Sequence, residues 1–489
     1  MTLARHSRAP SAEGTGVTVT SSIAAGDASF RGIWRLTWPQ MLMMLFQFII
    51  GFTDVWVAGR INPDVQASLG IVNQCMFFLL VVAVALSNGA VAAVGQALGA
   101  GLLARARRYV SLILWGGALC GGVVAASGLV AADALLHVLM VPERIMPVAS
   151  YFWHVYLLTL PAHYLFTISN AAFRARKDVI APLLTMVVVS VVNAVASAGF
   201  GLGLWGLPDF GYAGVAWGTF WSVLAGAALN VVLLRRGGMV QGVSMPPWRW
   251  IRCGAPYLVK VAAPAAAMQV LWHMGYLVLF AITGSLPAPA DSVNALAGLT
   301  AGMRVESLIF LPAFAFNMTA SILVGHLLGA GLRDDARRVG LRLLVIGCGS
   351  MTVLAALLWP WVPELSAILT PDAAVAAQTV SYLRYNLVSI PFTVASMTLG
   401  GIMTGAGATF YNFIVYSSAT WFVRLPCAWF MGHVVWRDAA GVFIAMLVSQ
   451  VFQSSTMFWL FLTKDWNRFS MMRRANGTTH KGGNSNVRD

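Results

Sequence analysis

Charge is scarce in this chain. Of its 489 residues only 10% are Asp, Glu, Lys or Arg, while 58% are hydrophobic, and the mean hydropathy is +0.75. A soluble protein of this length could not hide so much apolar surface, so that class is excluded. Lysine is rarer still: Lys177, Lys260, Lys464 and Lys481, none of them after a glycine. A phosphate-cradling loop needs Gly-Lys followed by Ser or Thr, so the chain has no such loop of its own. The five cysteines, Cys75, Cys120, Cys253, Cys348 and Cys427, are scattered and odd in number. They form neither a disulfide framework nor a metal-ligand spacing. HExxH, EF-hand and CxxC patterns are also missing. No catalytic constellation supports an enzyme, and neither a cofactor nor a metal is expected.

What fills the chain is apolar sequence. About twelve stretches of roughly 20 residues with few charges read as membrane-spanning helices. They include Trp34–Ala58, Met146–Ile168, Val179–Leu204, Ala213–Leu234, Tyr257–Thr283, Val293–Val324, Phe410–His433 and Gly441–Leu462. These runs are continuous rather than alternating, which argues against a strand barrel. The fold class expected is an all-α polytopic membrane protein.

The formal net charge of +14 is distributed by loop. Arg105, Arg107 and Arg108 follow the second span, Arg174, Arg176 and Lys177 the fourth, and Arg333, Arg337 and Arg338 the eighth. Alternate loops carry Asp64, Glu143, Asp209, Glu364 and Asp372, with Arg60, Arg144 and Arg437 as exceptions. This positive-inside pattern places the chain in the cell (inner or plasma) membrane with both termini cytoplasmic. Membrane lipid, not nucleic acid, accounts for the basic excess.

The chain also repeats itself. Nine of the fourteen residues from Gly95 to Arg108 (GQALGAGLLARARR) recur in order from Gly325 to Arg338 (GHLLGAGLRDDARR). Pro161 matches Pro391 at the same offset of 230, and Pro39 matches Pro264. Six spans plus six gives a parallel repeat, two pseudo-symmetric lobes about an axis along the membrane normal. The organisation expected is a disordered tail over 1–30, an N-lobe over 31–236, a linker over 237–256, a C-lobe over 257–464 and a basic disordered tail over 465–489. With no nucleotide site, an ion-driven carrier of small molecules is the economical reading, requiring no partner protein.

Acids inside spans are expensive and need a reason. Only Asp54 and Glu306 sit well within apolar runs. Asp54 lies toward the outer half of the first span, with Gln47 seven residues earlier on the same face. It is either a proton carrier or an acid satisfied by hydroxyls near the membrane boundary. Glu306 follows Arg304 at a spacing that points the two apart on a helix, closing separate structural contacts or facing a cavity. Ser190, Asn193 and Ser197 form a polar stripe in the fifth span, the usual glue between helices. His273 beside Trp272 in the seventh span is a candidate titrating group. Met268, Trp272 and Phe314 are candidate cavity walls for cations, with core packing as the alternative.

These residues carry a resemblance. The opening span Pro39…Asp54…Ala58-Gly59, the GQALGAG and GHLLGAG repeats, FRARKD before the fifth span, GYAGVAWGT, RVESLIFLPAFAF and Arg424-Leu425-Pro426 together resemble the multidrug and toxic compound extrusion (MATE) family, over roughly Trp34 to Leu462. The resemblance implies two six-helix lobes around a central cavity and export of organic, often cationic, compounds against sodium or proton entry. It also implies a cation-coupling site made of an Asp in the first helix, an Asn and an Asp four apart in the fifth, and a Thr in the sixth. Asp54, Asn193 and Thr219 match; Ser197 stands where the second Asp is expected. With that charge missing, the coupling ion expected is H+ rather than Na+. The Glu of the sodium-coupled branch's seventh helix falls on Trp272. Gln47, Met268, Trp272, His273 and Glu306 are the candidate substrate-cavity residues. Two rivals remain: a major-facilitator carrier, of whose DRxGRR-type loop LARARR has only the basic half, and a lipid-linked precursor flippase, for which Arg304 and Arg424 would supply a cationic cavity.

Overall fold

Ser29 begins the first helix by accepting the Gly32 N–H on its hydroxyl at 3.0 Å. Other caps repeat the device: Asn62, followed by Pro63, accepts from Asp64, and Asp372 and Asp438 cap the helices that follow them. Capping satisfies N–H groups that the first turn leaves unpaired, close to where water runs out. The computed structural model describes residues 29–138, 141–240, 245–287, 289–370 and 372–471, and among these no strand occurs.

The crossings in chain order are α1 (Phe30–Ile61), α2 (Pro63–Gly99), α3 (Leu103–Val130), α4 (Met146–Ala175), α5 (Ile180–Leu202), α6 (Tyr212–Arg236) and α7 (Trp248–Gly284). They continue as α8 (Pro289–Ile309 and Leu311–Gly329), α9 (Arg333–Leu358), α10 (Ala373–Ala406), α11 (409–435) and α12 (Ala439–Thr463). The chain is an all-helical, multi-pass membrane protein. Among the described residues ten helices are long and apolar enough to cross a bilayer by length and composition. The Met146–Ala175 helix falls outside that measure, because its histidines, tyrosines and threonines lower its hydropathy. The α11 crossing falls outside it because it is broken into Thr409–Ser418, a π-helical Ala419–Arg424, Leu425–Trp429 and a π-helical Phe430–Val435.

Three expectations need correction. The eighth span is not one run over Val293–Val324: it breaks at Phe310, ahead of Pro312, which has no N–H to continue the ladder. Helix α7 starts at Trp248, inside the segment read as linker: Pro246 and Pro247 immediately precede it, and Trp250 packs edge-on against Tyr109 at 4.9 Å. The tail expected to be disordered from residue 465 begins with a packed segment: Trp466 is 2% exposed and stacks on Phe461 at 5.5 Å. The tail expected over 1–30 lies almost wholly outside the described residues, as does the remainder after residue 471.

The apolar cores define the shape. One cluster runs across both halves at the end that carries the arginine turns, joining Ile33, Leu36, Val94 and Ala97 to Leu323, Leu327, Met403 and Ala406. Away from that end each half has its own core, around Phe152, Leu157 and Tyr164 in the first and around Tyr382, Ile390 and Phe443 in the second. The two lobes are therefore fused at the basic end and separately packed at the other. Leu119, Val345 and Phe422 are among the large apolar side chains left on the outside, as lipid contact allows.

Candidate functional site

In the first lobe, α1, α5 and α6 bring four polar side chains to one point. Asn193 and Ser197 are four apart on α5 and share a face. The Ser197 hydroxyl donates to Asp54 Oδ1 at 2.9 Å, and the Asn193 amide donates to the same oxygen at 3.2 Å. The Thr219 hydroxyl donates to Asp54 Oδ2 at 3.1 Å and lies 3.3 Å from Asn193 Nδ2. Asp54 is only 5% exposed, and these three donors are all neutral. A buried carboxylate held this way keeps its hydrogen bonds but gains no countercharge from them, so its charge calls for a proton or a cation. The Asn193 side-chain oxygen, Oδ1, is buried without a hydrogen-bond partner.

Glycine makes this convergence possible. Gly214 and Gly218 are four apart on α6, the spacing that lets membrane helices approach closely. A Cβ at Gly214 would lie 2.3 Å from the Phe200 carbonyl oxygen, and one at Gly218 would lie 3.0 Å from Ser197 N and Oγ. The close seam between α5 and α6 puts Thr219 within reach of an acid on α1. Tyr156, on α4, is a neighbour of Asp54 and Thr219 that sequence reasoning missed. As one of several aromatics in that span, it carries no distinguishing signal.

The proposed cavity residues are not gathered in the same way. Gln47 is exposed on α1, and Met268, Trp272 and His273 are half-buried on α7. His273 donates from Nδ1 to the Gln269 carbonyl at 2.9 Å, and its ring lies 3.8 Å from that of Phe77 on α2, so it belongs to the seam between lobes. Trp272 packs edge-on against His273 and Tyr276. Glu306 is buried inside the second lobe, accepts from the Tyr382 hydroxyl, and lines a pocket with Asn386, Ser389 and Gln450. Arg304 is exposed, as the spacing required. Arg424 is 2% exposed, donates to the Ser449 hydroxyl at 2.9 Å and stacks over Tyr276 at 5.6 Å. Phe314 is exposed on α8. Two lobes thus hold two buried acids, at positions the repeat does not relate.

The family model described as MatE matches residues 39–198 and again 264–430. This chain belongs to the MatE family. The double match falls on the two lobes, so the repeat read from the glycine turns covers both halves. Among relatives of this MatE transporter, a Thermotoga maritima protein named "Probable multidrug resistance protein NorM" is 24% identical over 447 residues, covering 90% of this chain and 94% of its own. The Pseudomonas aeruginosa multidrug resistance protein PmpM is 25% identical over 422 residues, covering 84% and 85%. The crystal structure of the Vibrio cholerae MATE transporter VcmN in its bent form superposes with a TM-score of 0.83 at 19% identity, covering 92% of this chain and 99% of that one. A MOP superfamily transporter from Pyrococcus furiosus, described as having a binding pocket of reversed polarity, gives 0.80 at 19% identity, covering 90% and 96%. The fold is therefore that of MATE transporters.

Proposed function

We propose that this MatE chain is a secondary active efflux antiporter that exports organic, cationic or amphipathic compounds in exchange for protons, by alternating access. Its carrying observation is the convergence of Asn193, Ser197 and Thr219 on Asp54, three neutral donors around one buried acid. The multidrug resistance names of the Thermotoga and Pseudomonas relatives support the substrate class. The positive-inside rule puts the basic end, and with it both termini, in the cytoplasm of a cell-membrane protein. On that orientation the fused end is cytoplasmic and the separated cores face outward.

The cycle then follows from charge. From outside, Asp54 takes up a proton and becomes a hydrogen-bond donor among former donors, so its contacts with α5 and α6 must rearrange. Rotation of the Asn193 amide turns its unpartnered oxygen toward the new proton. The repacked α1 loosens the hold on a cationic substrate, which leaves outward. The lobes rock, and the proton departs to the cytoplasm. The membrane potential contributes about 2.3 kcal/mol per charge for each 100 mV, with the pH gradient in addition. Sodium is the second reading, favoured by that same Asn193 oxygen as a possible ligand, and disfavoured by Ser197 where a second carboxylate would supply charge. A cationic-cavity flippase is disfavoured because Arg424 is enclosed in the second lobe and Arg304 does not join it.

Dye efflux from proteoliposomes, with pH and sodium gradients imposed separately, tests the proposal. Expected is efflux driven by a proton gradient without sodium, lost in Asp54→Asn while thermal unfolding is unchanged. Full gradient-driven efflux by Asp54→Asn would overturn the assignment.

A further inference from the structure

The repeat that marks the two lobes also joins them. Gln96, in the first copy, donates from Nε2 to the Gly405 carbonyl of the second lobe at 2.9 Å. His326, in the second copy, donates from Nε2 to the Ala175 carbonyl of the first lobe at 2.6 Å. Gln96 and His326 are 230 positions apart, and so are Ala175 and Gly405. Between these bonds the helix ends touch backbone to backbone. A Cβ at Gly99 would lie 2.1 Å from the His326 carbonyl oxygen, and one at Gly329 would lie 2.2 Å from the Gln96 carbonyl oxygen. Side chains at the same register, on opposite lobes, thus make the same bond in exchange. The two arms differ in chemistry and support. The Gln96 side-chain oxygen, Oε1, accepts from Met471 N at 2.9 Å and from the Ser470 hydroxyl at 3.2 Å. Those residues are held by the packed Trp466 and by Tyr109, whose hydroxyl meets Met471 Sδ at 3.3 Å.

We propose that Gln96 and His326 are positioning residues of the transport cycle, a two-armed latch that holds the cytoplasmic ends of the lobes together, with Ser470 and Met471 bracing the Gln96 arm. This rests on the orientation and rocking motion of the transport reading. Opening to the cytoplasm breaks both cross-lobe bonds and withdraws Gln96 from the C-terminal segment. The lobe surfaces at Gly99 and Gly329 then separate without dragging side chains past each other.

Hydrogen exchange on the full chain in lipid nanodiscs reads this without substrate or gradient. His326→Leu should speed amide exchange about three- to tenfold in both turns, 96–102 and 326–332, with no change in α5 and α6 around Asn193. Gln96→Leu should do the same and also expose the amides of 466–471. His326→Gln, which places the twin copy's donor in this arm, should keep the protection of the native chain. Unchanged exchange in His326→Leu overturns the latch, and so does equal loss in His326→Gln. If His326→Leu fails to fold, Gln96→Asn, with the same groups on a shorter stem, carries the test under the same criteria. Failure of dye efflux with intact latch protection would sink the transport reading, and with it the role in the cycle, while leaving the cross-lobe contact itself established.

Discussion

Asp54 is held by an amide and two hydroxyls, and each of those donors is replaceable. Ser197→Asp would put a second carboxylate where a hydroxyl now donates to the first at 2.9 Å. Two acids so close cannot both ionise without a cation between them. The expected outcome is efflux that acquires dependence on sodium, measured as the initial dye-efflux rate with and without sodium at fixed pH. Identical rates under both conditions would count against the role given to Ser197. At this scale the sequence was informative for one lobe and poor for the other. Asp54, Asn193, Ser197 and Thr219 could be named because each is polar within an apolar run and matches a family pattern. Tyr156, Tyr382 and Asn386 could not, since polar aromatics and amides are common in these spans and only packing reveals which acid they touch.

Among the elements, α6 is the one whose placement depends on the absence of side chains. Gly214→Ala would set a methyl 2.3 Å from the Phe200 carbonyl, and backbone cannot yield as a side-chain tip does. The cost expected is about 1–3 kcal/mol, seen as earlier thermal unfolding, together with weakened coupling as Thr219 withdraws from Asp54. Thermal stability and coupling equal to those of the native chain would show that the seam is looser than its geometry. Helix α11 illustrates the opposite limit of sequence reading. Its run over Phe410–His433 is largely apolar, yet it forms two π-helical turns. Arg424 ends the first of these, buried against Ser449. Wide turns are set by what the helix packs against and leave no mark in hydrophobic periodicity.

For the whole molecule, the fused base and separate outer cores carry the conformational argument. Trp466 buttresses that base, stacking on Phe461 and donating to its carbonyl at 3.1 Å. Trp466→Ala should cost about 3–5 kcal/mol and lower the unfolding temperature in detergent. A shift within error would mean that the segment after α12 is merely laid on the surface. Orientation is testable separately: reporters fused to either terminus should be active only if they work in the cytoplasm. Activity of a reporter that requires the opposite compartment would reverse the assignment of the basic end.

By itself the sequence determined membrane residence, the number of crossings and the existence of two related halves, and it supplied the loop charges on which their proposed direction rests. Those properties depend on local composition, on loop charge and on a repeat, each readable along one dimension. Tertiary structure alone decided which polar groups meet. It placed three donors on Asp54, enclosed Glu306 with Tyr382, and set Gln96 and His326 across the seam between lobes. Those pairings join residues tens to hundreds of positions apart, and they depend on how closely glycine lets two helices approach. The same fourteen-residue repeat therefore reads as a turn in sequence and as the contact between lobes in space.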